Sequence, residues 1–168
     1  MKIQRNGKVK IFLGLLMLLL CVITSNQAEA SAKMPHFSLP SVLDGKDIDS
    51  DQFQGQVLLI TFFATWCPPC IQEIPTLIDL QNEYKEKGFS VIGISVDEGS
   101  AKSVKKLVEK TGVNYPVVMA DSKITRDFGG IVGIPTSFLI GKSGNVVKSY
   151  PGYVPHNILI KDIKGLME

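Results

Sequence analysis

This 168-residue chain has few cysteines and a small net charge, and these two properties exclude several classes of protein. Three cysteines are too few to staple a small fold together with disulfides. The formal net charge is only +2, and residues 1–30, with four basic residues against one acidic residue, carry more than all of it. The remainder is therefore slightly acidic and has no broad basic face, so we expect no nucleic-acid binding.

The composition also excludes a disordered chain and a polytopic membrane protein. Hydrophobic residues make up 45% of the sequence and charged residues 20%, which are values typical of a folded domain. A length of 168 residues fits one domain of ordinary size. Internal repeats and low-complexity tracts are absent from the sequence, so we predict a single domain over residues 31–168.

Residues 1–30 have the pattern of a targeting segment. Four basic residues precede Ile11–Ile23, which contains no charge, and Ala28-Glu29-Ala30 then offers a cleavage site. Because this run is shorter than the roughly 20 apolar residues of a spanning helix, we favour a cleaved signal peptide over an N-terminal membrane anchor. A lipoprotein site at Cys21 is the least favoured alternative, since the residue before it is not small. In each case residues 31–168 work outside the cytoplasm.

Strand and helix patterns alternate along the rest of the chain. A segment rich in Pro, Ser, Asp and Gly comes first, and Asp44-Gly45 in it suits a tight hairpin turn. We expect Ser100 to cap the second helix and Gly88 and Gly112 to end the first and second. These patterns predict an α/β fold with a mixed sheet flanked by helices. The predicted strands are Val57–Phe63, Phe89–Val96, Pro116–Ala120, Thr136–Ile140 and Asn145–Tyr150, and the predicted helices are Cys70–Lys87, Ser100–Lys110, Ser122–Phe128 and His156–Met167.

Cys67 and Cys70 are separated by two prolines, directly after a predicted buried strand and at the start of a helix. Unpaired N–H groups and the positive end of the helix dipole favour a thiolate at Cys67. Pro68 and Pro69 fit the first turn, where no intrahelical bond is lost. The pattern predicts that an exposed Cys67 forms a mixed disulfide with a substrate, which a more buried Cys70 then resolves.

Two other interpretations of the cysteine pair stay open at this point. A structural disulfide is possible outside the cytoplasm, although closing so short a loop constrains the unfolded chain little. A zinc site needs about four ligands, and the pair supplies two. The only histidines that could complete it, His36 and His156, lie near opposite ends of the body. We favour redox chemistry because a strand leads directly into the motif and a helix follows it.

With these residues the chain resembles the thioredoxin superfamily, and within it the exported TlpA/ResA-like branch. Thr61–Thr65 runs into Trp66-Cys67-Pro68-Pro69-Cys70, Pro75 follows inside the helix, and Gly133-Ile134-Pro135-Thr136 precedes the last hairpin. The resemblance spans about residues 35–168. It implies a thioredoxin-like fold, here with an N-terminal hairpin extension.

The resemblance also implies an activity and its surroundings. The branch consists of thiol–disulfide oxidoreductases in the periplasm or at the outer face of the bacterial cytoplasmic membrane. Many are reductants, and some act in cytochrome c maturation. We therefore expect a monomer that reduces disulfides of exported proteins, apocytochrome c being one candidate. Its electrons would come from a membrane thiol protein, and the Cys67–Cys70 disulfide would be its only redox group, with no metal or other cofactor.

The same family pattern assigns substrate contacts. It implies a cis peptide bond between Ile134 and Pro135, which would present the Ile134 backbone to a substrate peptide lying as an added strand. Without the cysteine motif an ordinary trans bond would be the better interpretation. Trp66 is expected to form a wall beside Cys67, with Pro68 and Pro69 also at the substrate surface, whereas a lone tryptophan more often fills a core.

Thr61 departs from the family pattern. Thioredoxins commonly have a buried aspartate at this position, which helps move the proton of the resolving cysteine, and a threonine cannot do so. Glu73 lies three residues after Cys70, on the same helix face, and ResA-like proteins carry a glutamate at this spacing. We predict that Glu73 is the general base for Cys70. The alternative is a solvated glutamate in the first turn of the helix.

Two further functions compete with the oxidoreductase. A metal-binding or metallochaperone module would use Cys67 and Cys70 as ligands. A thiol peroxidase would share the fold, but such enzymes place a threonine three residues before the reactive cysteine. Here Ala64 occupies that place, and Thr65 is one residue too late.

Overall fold

The computed structural model describes residues 32–167, in which a five-stranded mixed sheet lies between two layers of helices. The predicted targeting segment, residues 1–30, lies outside the described residues. Within residues 32–167 no helix has both the length and the apolar content needed to cross a bilayer. The strands are β1 (Ser38–Pro40), β2 (Asp47–Asp49), β3 (Val57–Phe63), β4 (Phe89–Ser95), β5 (Val117–Met119), β6 (Thr136–Ile140) and β7 (Val146–Pro151). The α-helices are α1 (Pro68–Tyr84), α2 (Lys102–Thr111), α3 (Ser122–Asp127) and α4 (His156–Met167), and single 3₁₀ turns span Ser50–Phe53 and Lys85–Lys87.

The central sheet has the strand order β5-β4-β3-β6-β7. Strands β3, β4 and β5 run parallel, whereas β6 is antiparallel to β3 and β7 is antiparallel to β6. Phe62 at the end of β3 pairs with Thr136 at the beginning of β6. The end of β3 and the beginning of β6 therefore meet at one edge of the sheet, together with the carboxyl end of β4.

The two faces of β3 build two separate hydrophobic cores, which is why its sequence is almost wholly apolar. Val57, Leu59 and Phe63 belong to a core with residues of α1, α2 and α4. The alternate residues Leu58, Ile60 and Phe62 belong to a second core with residues of α3 and of the segment around β1. Because side chains alternate along a strand, Thr61 points to the α1 side.

The N-terminal hairpin predicted as an extension is present as β1 and β2. The tight turn predicted at Asp44-Gly45 is wrong, since six residues, 41–46, connect the two strands. Gly45 has a φ of 73°, and the Asp44 carboxylate accepts a hydrogen bond from the Lys46 N–H. The connection also pairs with the edge strand β5, because the Val42 N–H donates to the Val117 carbonyl at 2.9 Å.

A buried glutamine ties α1 to the sheet. Strand β5 pairs only with Gly93–Ser95, the last three residues of β4, so it does not reach the Val91 N–H. The side-chain Oε1 of Gln81 accepts a hydrogen bond from that N–H at 2.7 Å. Since buried backbone donors need a partner, Gln81 completes the hydrogen bonding of β4 and fixes the position of α1 across it.

All four predicted helices are present, the last with the predicted bounds, but several ends are shifted by one to three residues and one cap is wrong. Helix α1 begins at Pro68, two residues earlier than predicted, and ends at Tyr84, and the separate 3₁₀ turn Lys85–Lys87 then leads to the left-handed Gly88. Gly112 ends α2 as predicted. Ser100 does not cap that helix: Ala101 is at the N-cap position and makes no side-chain hydrogen bond. A cap is worth only about 1 kcal/mol, and α2 forms without one while it buries Val104 and Val108 in the core.

Replacing Gln81 with leucine leaves the Val91 N–H buried without an acceptor. We expect the free energy of unfolding to fall by about 1–3 kcal/mol, measured by urea denaturation at neutral pH. Gln72 is exposed on the same helix, so Gln72→Leu is the matched control and should stay within about 0.5 kcal/mol of the wild type. Equal losses in both variants would show that the hydrogen bond to Val91 contributes nothing.

Candidate active site

The cysteine motif lies at the carboxyl edge of the parallel strands. Three residues, Ala64, Thr65 and Trp66, connect the end of β3 to Cys67, and the Cys67 N–H donates back to the Ala64 carbonyl at 3.2 Å. Helix α1 begins at the next residue, with Pro68 and Pro69 in its first turn. Open α/β sheets commonly place their binding and catalytic sites at this edge.

Cys67 and Cys70 form a disulfide with an S–S distance of 2.05 Å. Cys67 is also the N-cap residue of α1, and its Sγ accepts a hydrogen bond from the Cys70 N–H at 3.3 Å. A sulfur in this position lies next to the unpaired donors and positive dipole end of the helix, as the sequence predicts.

The expected difference in exposure between the two cysteines is wrong for this oxidised state. Cys67 is 4% exposed and Cys70 is 3% exposed, so both are buried. In this state Phe63, Ala64 and both cysteines belong to one hydrophobic cluster.

Glu73 is a buried carboxyl in the second turn of α1. It is 2% exposed, and its Oε1 accepts a hydrogen bond from the Val154 N–H at 3.0 Å. Burial raises the pKa of the Glu73 carboxyl above its usual range, and the hydrogen bond from Val154 partly opposes this shift. The alternative of a solvated first-turn glutamate is therefore wrong.

Glu73 and Cys70 line the same small cavity between α1 and the sheet. Thr61 lines it as well, and its hydroxyl accepts a hydrogen bond from the Ser137 hydroxyl at 3.0 Å. Tyr115 forms part of the wall, and burial together with the nearby Glu73 charge raises the pKa of its phenol. The structure thus places the Glu73 carboxyl in the same cavity as Cys70, on the helix side, with Thr61 on the sheet side.

Of the residues expected at the substrate surface, Trp66, Pro68 and Pro69 are exposed around the disulfide, whereas Ile134 is half-buried and Pro135 is buried. Trp66 is 68% exposed, so the alternative in which it fills the core is wrong. Pro68 and Pro69 are exposed as well. A large aromatic ring and two prolines therefore cover the outside of the motif, and no charged residue lies between Phe63 and Cys70.

The peptide bond between Ile134 and Pro135 is cis, as the resemblance implies. Pro135 precedes β6, whose first residue pairs with Phe62, so it lies beside the end of β3 where the cysteine loop starts. The Pro135 carbonyl accepts a hydrogen bond from the Gly152 N–H at 2.8 Å. Among residues 32–167, Ile134 shares no backbone hydrogen bond with another backbone group.

A metal site at the cysteines is not favoured by the ligands around them. Within residues 32–167, a group of three metal-ligating side chains occurs at His36, Asp49 and Asp51, and it includes neither cysteine. His36 instead contacts Asp49 at 3.1 Å. His36 and His156 therefore do not complete a zinc site with Cys67 and Cys70.

Sequence reasoning missed Asp97, Tyr115 and Val154. Asp97 holds the loop before the cysteines through Thr65, to which it is linked by two hydrogen bonds. Tyr115 and Val154 reach Glu73 from separate parts of the chain. Only Asp97 had a detectable signal, because it follows β4 at the edge where parallel strands end together.

The raised pKa of Glu73 predicts how the free energy of unfolding depends on pH. Neutral Glu73 contributes stability that is fully present below the unfolded carboxyl pKa of about 4.3 and is lost as the pH rises through the higher folded value. We expect the stability of the oxidised wild type relative to Glu73→Gln to fall as the pH rises from 4 to 8, measured by urea denaturation. Glu83→Gln changes an exposed glutamate on the same helix and should show no such trend. Parallel stability curves for the wild type and Glu73→Gln would contradict the predicted shift.

Comparison with known proteins agrees with this geometry. The family model for Redoxin matches residues 29–166. The thiol-disulfide oxidoreductase ResA of Bacillus thuringiensis is 34% identical over 125 residues, covering 74% of this chain and 70% of that protein. The ResA of Bacillus subtilis is 28% identical over 175 residues, covering 98% and 96%.

A solved structure gives the same result for the fold. The crystal structure of a thioredoxin-family thiol:disulfide interchange protein from Chlorobium tepidum superposes with a TM-score of 0.76 at 38% identity, covering 82% of this chain and 97% of that one. These relatives are named for thiol–disulfide chemistry, so the peroxidase and metallochaperone alternatives are not favoured. The chain belongs to the redoxin family, as a TlpA/ResA-like member of the thioredoxin superfamily with a thioredoxin-like fold, and it is a thiol–disulfide oxidoreductase.

Proposed function

We propose that the protein reduces disulfides of exported proteins outside the cytoplasm, using the Cys67 and Cys70 thiols as its only redox group. The observation that carries this proposal is the position of Cys67 as the N-cap of α1, where the Cys70 N–H donates to its sulfur. The targeting pattern of residues 1–30 supports a location in the periplasm or at the outer face of the bacterial cytoplasmic membrane.

In the reduced protein Cys67 is the nucleophile. Its thiolate is favoured by the Cys70 N–H and by the positive end of the α1 dipole. The thiolate attacks one sulfur of the substrate disulfide, so a Cys67–substrate bond forms and the second substrate sulfur leaves as a thiolate. Attack by Cys70 on the Cys67 sulfur then releases the first substrate sulfur and closes the Cys67–Cys70 disulfide.

Glu73 removes the proton from Cys70 in the second step. Cys70 is buried, and burial in apolar surroundings opposes ionisation of a thiol. Glu73 lines the same cavity, and its raised pKa brings the carboxyl closer to the pKa of the thiol, which makes it a better base for this proton. After resolution the carboxyl is left protonated, and the proton returns to solvent or to a departing thiolate.

The substrate peptide binds across the exposed rim of the motif. Trp66, Pro68 and Pro69 offer an uncharged surface next to Cys67. Ile134 offers its backbone N–H and carbonyl to an extended peptide, which then adds as a short strand. Backbone pairing is independent of side-chain identity. This arrangement therefore suits substrates that each contain a disulfide but differ in amino-acid sequence.

Reduction consumes two electrons per cycle, and a membrane thiol protein supplies them by reducing the Cys67–Cys70 disulfide. Apocytochrome c is one candidate substrate, and the protein acts as a monomer. The relatives named ResA support the thiol–disulfide part of this proposal. Its direction and substrates rest on the family resemblance.

A Cys70→Ser variant cannot resolve the mixed disulfide and should hold its substrate on Cys67. We expect disulfide-linked adducts in cells that express the full chain, identified by mass spectrometry after non-reducing purification. The matched Cys67→Ser variant keeps one thiol in the same motif but removes the nucleophile, so it should capture few adducts. Failure of Cys70→Ser to trap any exported protein would refute the proposed substrates.

The role of Glu73 is tested by titrating Cys70. In a Cys67→Ser background, we expect Glu73→Gln to change the pH dependence of Cys70 alkylation and to slow closure of the disulfide in the unmodified motif by about 100-fold. Peptide mapping separates Cys70 from Cys21. Glu83→Gln, an exposed change on the same helix, is the control and should behave like the wild type. If Cys70 titrates identically in the Glu73→Gln and control proteins, Glu73 is not the base.

A further inference from the structure

Asp97 lies just after β4, outside the cysteine motif, and its carboxylate accepts three hydrogen bonds. Oδ2 accepts from the Thr65 N–H at 2.9 Å and from the Ser95 hydroxyl at 2.7 Å. Oδ1 accepts from the Thr65 hydroxyl at 2.5 Å. Two of these hydrogen bonds come from Thr65, so the Asp97 carboxylate connects the loop before Cys67 to the chain that follows β4.

These contacts act on the short connection that positions Cys67. The Val96 N–H donates to the Phe63 carbonyl at 2.8 Å, which joins the last residue of β3 to the chain leaving β4. The Asp97 carboxylate joins the same two segments again, two residues further along after β3 and one residue further along after β4. Only Trp66 then separates Cys67 from Thr65, which these hydrogen bonds hold in place. The Cys67 sulfur therefore has little freedom to move relative to Thr65.

We propose that Asp97 is a positioning residue for the thiol–disulfide exchange, acting through Thr65 to hold Cys67 at the first turn of α1 in the reduced protein. The inference rests on the proposed role of Cys67 as nucleophile. When the disulfide opens, the covalent link to Cys70 is lost, and the hydrogen bonds of Thr65 remain to restrain the sulfur. An attacking thiolate must approach a disulfide in a narrow range of geometries, so a loosened loop slows attack.

Substitutions of Asp97 can distinguish an effect of its hydrogen bonds from an effect of its negative charge. An asparagine at position 97 can keep one oxygen on the Thr65 N–H and the Ser95 hydroxyl. Its amide nitrogen then faces the Thr65 hydroxyl, which can accept as well as donate. Asp97→Asn therefore keeps the connection without the charge, whereas Asp97→Ala removes both. Thr65→Val removes one of the three hydrogen bonds and keeps the backbone contact.

The experiment measures two properties of Cys67 in the reduced full-length protein. Alkylation of Cys67, followed by peptide mapping between pH 4 and 9, gives the pKa of its thiol. The reaction with a small aromatic disulfide at pH 7 gives its rate of attack. We expect Asp97→Ala to move the alkylation midpoint toward the free cysteine value of about 8.5 and to slow attack by about tenfold. Asp97→Asn should remain within about twofold of the wild type, with Thr65→Val in between.

Asp162→Ala is the control for a general loss of stability. Its carboxylate accepts from Lys148 at 2.6 Å and from the Tyr150 hydroxyl at 2.7 Å, which joins α4 to β7 rather than to the cysteine loop. We expect its Cys67 midpoint and rate to match the wild type even though it unfolds more easily. If Asp97→Ala does not fold, Thr65→Val and Asp97→Asn still test the proposal.

Two outcomes would overturn the inference. If Asp97→Ala and Thr65→Val both react like the wild type, the hydrogen bonds do not position Cys67. If Asp97→Asn is as impaired as Asp97→Ala, charge matters rather than positioning. The proposed function fails separately, because that failure appears in the wild type itself as a Cys67 that does not attack the disulfide at all.

Discussion

The hydrogen bond from the Cys70 N–H to the Cys67 sulfur is the interaction on which the site depends. It is the N-cap bond that starts α1, so the contact that begins the helix also defines the surroundings of the reactive sulfur. An N-cap position attracts an acceptor because the first N–H groups lack partners, and the helix dipole adds to that attraction. The same physical cause therefore accounts for a local structure and for the chemistry of the thiol.

The N-cap bond at Cys67 stabilises the fold, whereas Glu73 destabilises it when the carboxyl is ionised. A carboxyl that is 2% exposed favours its neutral form, so its ionisation at higher pH acts against folding. The hydrogen bond from Val154 offsets only part of this cost. Placing such a group in the cavity that also contains Cys70 makes sense for proton transfer, since a less acidic carboxyl is a better base. Thr61, across the cavity, adds no second charge that would change this balance.

Much of the fold could be predicted because its elements are strongly patterned. The apolar run Val57–Phe63 is the central strand with both faces covered, and β6 and α4 have the predicted bounds. The start of α2 and the hairpin turn could not be predicted. Ser100 is a good cap by type, but the N-cap position is Ala101, and a cap contributes only about 1 kcal/mol to the choice of where a helix begins. The hairpin connection is longer because it also pairs with β5.

The sequence alone determined the order of strands and helices and the position of the two cysteines between β3 and α1. Periodicity and helix-start signals are local, and local residues were sufficient for both. Tertiary structure alone decided that Glu73 is buried beside Cys70, that both cysteines are shielded in the oxidised state, and that Asp97 fastens the loop before Cys67. These features join segments of the chain that are far apart in sequence, and distance, burial and charge between such segments arise only when the sheet and helices pack together.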